Sequence, residues 1–594
     1  MRPIVSEVVI ERRDLQPSGE RAEAVAGCTE GGGFRVASDD TLQLTRRRFM
    51  LGATSLLGSR CLACSASAVA RAEPARVVPI ELLGRAAHLG LERVRFGLPL
   101  PPGFLQDSRD LRVTIPSGRE IPARVTPLEP WRAGVEGGSL RSVLLQLEVD
   151  LSKERRRVVE VRFGERRALA APAPFAIGDT LIDPEGLDGP RVLSVLPAAW
   201  LCASLVAGPQ VPAAWSGPYA AYDRFVERSF PGSLAFRDSS VASHWLFDRT
   251  TSWYKQYVRT GEPRFLEAAY QAANFVRRST AMDGPDAGAF KLKGADLKYI
   301  YPQAMHLHYL LTGDERARRA GEAMARFCLN RWDPWYCPLR CRPRQPGADP
   351  GEQPFWSPRH QAYGFLGVLH GWELTGDPGY LRRADEYVDA LAAHQENPGD
   401  GYPPDGSWRQ DWAAYAPEES TLPAATSAWM TAILVAPMFH SWFSSGDPRV
   451  PLMVTRFCDF LDRRGFQPDG QRVYYVIDCI GTNHVAEAPE PQEQGMERHS
   501  TELAYLFAMG LFFSRSREQQ RRFQRRFDAV FDLAVTIDAN RPPRCFNWAF
   551  HASSQLMYLL RARRESIRTA TGPVDSLFVL IHASKGCGCA CASR

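Results

Sequence analysis

Several absences bound what this chain can do. It has no G-x-S-x-G elbow, no G-x-x-x-x-G-K-[ST] loop, no glycine fingerprint after a strand and no H-E-x-x-H. Nothing in it therefore announces a serine hydrolase, a nucleotide-binding enzyme or a zinc protease. No cofactor is indicated, and no metal site is expected from spacing. His306 and His308 are two residues apart, so on a helix they face different directions. Cys337 and Cys341 have no C-x-x-C or H-x-x-x-H beside them, which leaves a loop disulfide or free thiols ahead of zinc. Charge of one sign is also lacking. Lys and Arg outnumber Asp and Glu by only 5 in 594 residues and are evenly spread, which argues against a nucleic-acid partner. After Ala72 no apolar run reaches the ~18 to 20 residues that span a bilayer, so no membrane association is expected of the mature chain.

What is present begins with an address. Leu44-Thr45-Arg46-Arg47-Arg48-Phe49-Met50-Leu51 places a twin-arginine pair before an apolar run, Met50 to Leu57. Small residues follow, up to Ala70-Arg71-Ala72 before Glu73-Pro74. This is the layout of a twin-arginine export signal, with the Tat translocase as a transient partner and a periplasmic or extracellular destination. The alternative is a short buried helix with a basic flank. The leader 1–72 is set aside from the fold on this reading. Ten of the 13 cysteines follow Ala72, and export to an oxidising compartment permits disulfides. The tail 566–594, with Cys587-Gly-Cys589-Ala-Cys591, reads as a disordered or loosely metal-reactive end.

The remainder changes period once. Over 73–170 the pattern is β. Val77 to Ile80, Val94 to Gly97, Leu111 to Ile115, Arg141 to Val149 and Val158 to Phe163 are short β-branched runs parted by Pro/Gly turns. A β-sandwich or barrel is predicted there. Residues 171–221, rich in Pro and Ala, read as a connection or a continuation of the β-layer.

Over 222–565 the pattern is helical and nearly repetitive. Thr260-Gly261-Glu262-Pro263, Thr312-Gly313-Asp314-Glu315, Thr375-Gly376-Asp377-Pro378 and Ser445-Gly446-Asp447-Pro448 share one punctuation. Gly stops a helix in the left-handed conformation, and the acidic residue, with Pro where present, starts the next. Recurring αα-hairpins of this number predict an (α/α)6 toroid, with an open α-solenoid as the alternative. Further helices are expected over Gln361 to Thr375, where Gly364, Gly367 and Gly371 share a face open to a close neighbour, and over Thr501 to Phe513 and Trp548 to Leu560. The fold class is thus multidomain, β followed by α.

In such a ring the cleft lies at the mouth away from the Gly-Asp-Pro turns, and the loops there are dense in aromatic and polar residues. Trp335, Trp356, Trp408, Trp412 and Arg409 form the candidate binding set for a polysaccharide or oligosaccharide. Flat aromatic faces suit the C–H faces of sugars, and the alternative is that the tryptophans plug the ring. Two chemistries compete. β-Elimination from a uronic acid needs a base, a proton donor and a carboxylate clamp. Here His360 or His499 is the base, Tyr301 or Tyr363 the donor and Arg359 the clamp. Inverting hydrolysis needs two carboxyl groups, for which Asp405, Asp411 and Glu502 are candidates. A non-catalytic glycan-binding protein is the third reading.

One resemblance adds to this. Val94-Arg95-Phe96-Gly97-Leu98-Pro99-Leu100-Pro101-Pro102-Gly103, Leu111-Arg112-Val113 and Gly118-Arg119-Glu120-Ile121-Pro122 resemble the opening RIFT-barrel-type β-domain of exo-rhamnogalacturonan lyase-like proteins. The chain departs from the pattern after Trp131. The gap to Gly138-Ser139-Leu140-Arg141 is longer, and no aromatic follows Arg141. The resemblance covers the β part; the helical part matches that family's toroid only in architecture and turn pattern. It implies a polysaccharide-acting protein outside the cytoplasm, more weakly a lyase, and it carries over no catalytic residue.

Overall fold

The computed structural model describes residues 76–132, 138–335, 357–410, 422, 424–486, 499–536 and 543–569, all within one compact unit, Ala68–Arg594. The twin-arginine leader, Cys337, Cys341, Trp356, Asp411, Trp412 and the cysteine tail lie outside the described residues.

The β part has seven strands: β1 (Val77–Gly84), β2 (Leu91–Pro99), β3 (Leu111–Thr114), β4 (Ala123–Pro130), β5 (Leu140–Asp150), β6 (Arg156–Phe163) and β7 (Val192–Val195). They make two antiparallel sheets, ordered β3-β6-β1-β7 and β2-β5-β4. Alternation does what a pleat requires: β1 buries Val78, Ile80 and Leu82 and turns the residues between them outward. These side chains share one core with Phe96, Leu98, Val113, Val161 and Leu145 of the other strands. Phe104, Phe163 and Trp200 close it with ring centroids 4.9 to 5.3 Å apart.

Strand β4 gave no strand signal in the sequence because Pro127 and Pro130 interrupt it. It sits at a sheet edge, and its pairing with β5 is irregular around Glu129, where prolines are tolerated. Strand β7 arises from the Pro/Ala-rich segment and pairs with β1.

The helices are α1 (Ala198–Ala203), α2 (Ala221–Leu234), α3 (Arg249–Thr260), α4 (Pro263–Arg278), α5 (Pro302–Thr312), α6 (Glu315–Arg331), α7 (Pro358–Thr375), α8 (Pro378–Glu396), α9 (Ala428–Ser445), α10 (Arg449–Arg464), α11 (Ser500–Phe513), α12 (Arg517–Thr536), α13 (Pro543–His551) and α14 (Leu556–Thr569). From α3 to α12 they pair as antiparallel hairpins. At four of the turns Gly261, Gly313, Gly376 and Gly446 take φ of +69°, +68°, +71° and +72°. Each donates its N–H back to a carbonyl of the last helical turn, as Gly313 does to Tyr309 at 2.7 Å. Asp314 and Asp377 then accept from the N–H of Arg316 and Gly379, starting the next helix.

The first helix of each pair is buried all round and the second is amphipathic. Every residue of α11 is buried, whereas α12 buries Phe523, Phe527, Val530, Phe531 and Ala534 along one stripe. Helices α3, α5, α7, α9, α11 and α13 each pack on the next, and α13 packs on α3, so these six return on themselves. The glycine face of α7 receives Tyr387 and Tyr380 from α8 and Cys328 from α6. Cys202, Cys328, Cys458 and Cys479 are buried free thiols, and Cys545 is buried. Among the described residues no helix is long and apolar enough to cross a membrane.

Strand β5 is buried on both faces from Leu140 to Leu147, and the cause is α5. One face looks into the β core; the other lies on the last turns of α5. Ser142 Oγ donates to the Leu310 carbonyl at 2.8 Å, and Tyr309 Oη to Leu128 O at 3.0 Å. Arg95 spends its guanidinium on the carbonyls of Thr312 and Gly313, and Arg132 donates to Glu373 O at 2.8 Å. Gly97 presses directly on the Leu310 carbonyl, where a side chain has no room.

Candidate active site

The glycine turns end α3, α5, α7 and α9, so the N-termini of these helices gather at the other mouth. Phe247 and Asp248 precede α3 with φ of +68° and +56°. Leu205 is the other non-glycine residue with positive φ among the described residues. Such backbone persists where neighbours hold it. Here Tyr301, at the start of α5, accepts the Phe247 N–H at 2.8 Å and donates to the Lys298 carbonyl. Asp248 caps α3 by accepting from Thr251 N at 3.0 Å.

Arg359, His360 and Tyr363 stand on the first turns of α7, Trp429 on that of α9, and His499 and Glu502 at the start of α11. Trp548 and His551 come from α13. The Tyr301 and Tyr363 rings lie 5.8 Å apart, and Phe247 sits 4.9 Å from Trp548 and 6.1 Å from Trp429. The His499 ring stacks on Trp429 at 4.4 Å and on Trp548 at 4.7 Å, near parallel to both. Its Nδ1 is 3.1 Å from Glu502 Oε1, while Thr501 Oγ1 donates to Glu502 Oε2 at 3.0 Å. The Arg359 guanidinium lies 5.1 Å over Trp429. His360 stacks on Trp332 at 5.4 Å and shares a 2.8 Å hydrogen bond with Ser357.

Phe247, Tyr363, Glu502, Trp548 and His551 help line a cavity of about 20 Å³, enough for about one water. Beneath it, Lys255 donates to the His551 carbonyl at 2.6 Å and is pushed down to about 8 by burial.

Burial dominates the electrostatics. It holds the hydroxyls of Tyr301 and Tyr363 well above the ordinary phenol range, so both keep their protons at neutral pH. Burial, with the positive charges of Arg359 and Lys298, holds His360 well below the usual imidazole range, so it is neutral. The Glu502 contact orients His499 with Nδ1 toward the carboxylate and leaves Nε2 as the second ring nitrogen.

Tyr301, Arg359, His360, Tyr363, His499 and Glu502 are therefore at one mouth. Of the others, Asp405, Trp408 and Arg409 are held within the loop after α8, and Trp335 follows Pro334, whose carbonyl accepts from Gln361 Nε2 of α7 at 3.0 Å. Asp405 accepts from Ser407 N and Oγ at 2.9 and 2.6 Å and lies 3.5 Å from Arg409, which itself grips Asp400 at 2.9 Å. Trp408 is 0% exposed, with its indole N–H on the Leu391 carbonyl at 3.0 Å. A ring and a guanidinium buried this way build the loop after α8 and offer no face to a ligand. Trp335 is 45% exposed, its N–H held by Asp333. Asp411, Trp356 and Trp412 are outside the described residues.

Sequence reasoning missed Phe247, Asp248, Trp429, Trp548 and His551. Asp248 carried a signal as the cap of a helix beginning Arg249-Thr250-Thr251; the others carried none, because only the packing of distant helices brings them together.

No protein-family model matches the chain, and no curated protein does. Among solved structures the chain is similar to an unsaturated glucuronyl hydrolase from Bacillus sp. GL1 (15% identity, 57% of this chain and 88% of that chain, TM-score 0.37). It is similar to a polysaccharide lyase (13% identity, 58% and 98%, TM-score 0.40). It is also similar to a glycosyl hydrolase family 88 protein from Bacteroides vulgatus (12% identity, 57% and 99%, TM-score 0.39).

Proposed function

We propose that the chain is an exported carbohydrate-active enzyme, a β-sandwich joined to an (α/α)6 toroid, that cleaves a uronate-containing polysaccharide by β-elimination. The observation that carries this is the meeting of Arg359, Tyr363, His499 and Glu502 at one aromatic-walled mouth. In this reading the carboxylate of the sugar pairs with Arg359. His499 Nε2 takes the C5 proton, and the electron pair becomes the C4–C5 double bond as the C4–O4 bond breaks. The Tyr363 hydroxyl, kept protonated by burial, gives its proton to the leaving O4. Glu502 is a positioning residue that fixes the His499 tautomer. Neutral His360 is the second candidate for base.

Inverting hydrolysis is the runner-up because Glu502 lines the cavity. Asp405 is committed to Ser407 and Arg409, so the second carboxyl at this mouth is Asp248, whose Oδ1 caps α3 and whose Oδ2 lies 3.8 Å from His551 Nε2. Export rests on the twin-arginine leader, with a periplasmic or extracellular destination.

The test is a panel of acidic and neutral polysaccharides followed by ultraviolet absorbance and a reducing-end assay. Rising absorbance from a double bond conjugated to the carboxylate supports elimination. New reducing ends without it mean hydrolysis. Silence in both with measurable glycan binding means a non-catalytic glycan-binding protein.

A further inference from the structure

A second group of ionisable side chains lies away from that mouth, where α5 and α7 meet the β-sheets. His370 stands 11 residues beyond Arg359 on α7, roughly 16 Å along the helix. His370 and Glu373 are three residues apart and so share one face of α7, turned to His306 of α5. His306 Nδ1, His370 Nδ1 and Glu373 Oε2 form a triangle with edges of 3.1, 3.3 and 2.9 Å.

The outer contacts fix which nitrogens face inward. His306 Nε2 lies 2.9 Å from Glu129 Oε2 on β4, so its Nδ1 is the ring nitrogen that faces the centre. His440 Nε2 of α9 holds Glu373 Oε1 at 3.0 Å, leaving Oε2 for the centre. Glu373 Oε2 is buried and accepts no well-directed hydrogen bond. Two imidazole nitrogens and one carboxylate oxygen from three buried or nearly buried side chains thus converge within 4.8 Å of one another, a donor set that suits a divalent cation. Arg141 reaches Glu129 Oε1 at 3.1 Å and Glu373 Oε1 at 3.5 Å, balancing the carboxylates from outside the triangle.

We propose that His306, His370 and Glu373 bind a divalent first-row cation of the zinc class, which staples the helices to the β-sheets. Zinc held tetrahedrally at about 2.0 to 2.2 Å from nitrogen and oxygen donors sets those donors roughly 3.3 to 3.5 Å apart. The 3.3 Å edge fits as it stands, and the 3.1 and 2.9 Å edges must open by about 0.2 to 0.6 Å to admit the ion. Imidazole with carboxylate suits this class, whereas Mg²⁺ and Ca²⁺ take oxygen ligands almost throughout. The Glu129–His306 contact is the carboxylate–imidazole support that metal-bound histidines make. His440 is 22% exposed and Glu373 15%, so the ion and its remaining water ligand reach the site from that side.

The test loads the full-length protein with Zn²⁺, removes free metal, and measures bound zinc and its X-ray absorption spectrum. Because the chain has 13 cysteines, the spectrum separates this site from thiolate binding. The wild type should show a nitrogen/oxygen shell at about 2.0 to 2.1 Å. His370→Asn and Glu373→Gln should each bind one equivalent less, and Glu129→Gln should bind about 10- to 100-fold more weakly. Zn²⁺ should raise the wild-type melting temperature and Mg²⁺ should not. A wild-type shell made of sulfur alone, or equal zinc content in folded His370→Asn and Glu373→Gln, overturns the proposal. If those variants do not fold, the wild-type spectrum decides.

Discussion

His499 and Glu502 sit one turn apart at the start of α11, their Nδ1 and Oε1 atoms 3.1 Å from each other, with the imidazole stacked on Trp429 and Trp548. An imidazole in this setting has neither its tautomer nor its plane free to vary. If His499 is the base of the proposed elimination, His499→Gln should lower kcat by about 10²- to 10⁴-fold with the fold intact. Glu502→Gln should lower kcat while leaving KM nearly unchanged, because it alters how His499 is held and not how the sugar binds. Asp405→Asn should leave kcat within about twofold and reduce stability by ~1 to 3 kcal/mol, the usual loss when a buried bonded acceptor is changed. Initial rates by ultraviolet absorbance and a denaturant melt of each variant measure both quantities. Full activity in His499→Gln would remove it from the mechanism.

Stability should fall as the solution is acidified, and His308 supplies part of the slope. Its Nδ1 accepts from Tyr254 Oη at 2.6 Å, its Nε2 faces Asp314 at 3.9 Å, and the Tyr270 ring packs on it at 4.8 Å. Burial, partly offset by Asp314 and reinforced by Arg277 and Arg316, lowers it to about 4. Its unfolded value is near 6.5, so between these limits the unfolded chain binds a proton that the folded chain refuses. The contribution is complete above 6.5 and is lost as pH falls through 4. The slope is ~1.4 kcal/mol per pH unit, or ~2 kcal/mol from pH 7 to 5. His360 and His551 are lowered too and add in the same sense. Chemical denaturation at pH 7 and 5 should show a smaller loss for His308→Gln than for the wild type.

What the sequence made legible was local. The turns at Gly313 and Gly376 declared themselves because glycine, an acidic cap and, at Gly376, proline each act within one helical turn. The alternation of Val78 and Ile80 did so because a strand repeats every two residues, although the strand runs on to Gly84. The density of Arg359, His360, Tyr363, His499 and Glu502 near helix starts was visible for the same reason. Long-range placement was not. His306 meets Glu129 across 177 positions, and no local signal relates them. Trp408 and Trp335 carry the same side chain in similar Pro-containing loops, and only packing makes one a plug and leaves the other in solvent.

That contrast is measurable. Trp408→Ala should destabilise the protein by about 3 to 5 kcal/mol, since removing a fully buried indole leaves a cavity and loses its hydrogen bond to the Leu391 carbonyl. Trp335→Ala, on a half-exposed ring, should stay within about 0.5 kcal/mol. If Trp335 takes part in binding, its replacement should raise KM for polysaccharide without moving the melting temperature. Equal melting temperatures for Trp408→Ala and the wild type would contradict the burial of Trp408.

The junction between the sheets and the helices rests on a strand lying flat against a helix end, and Gly97 is where they touch. A methyl group there would run into the Leu310 carbonyl and the backbone of Leu311, atoms that cannot rotate away as a side chain can. Either β2 lifts from α5 or the last turn of α5 shifts. Both break contacts between the sheet and α5, including Arg95 of β2 to Thr312 O and Ser142 Oγ of the neighbouring β5 to Leu310 O. Gly97→Ala should therefore cost about 1 to 3 kcal/mol, the range for overpacking a filled core. Gly90, just before β2, has open space around it, so Gly90→Ala should fall within about 0.5 kcal/mol of the wild type. Because β5 is buried by the core on one face and by α5 on the other, the loss in Gly97→Ala should appear at the same denaturant concentration in far-ultraviolet circular dichroism and in tryptophan fluorescence. Separate transitions would mean that the sheets and the helices unfold independently and that the α5 contact couples them weakly.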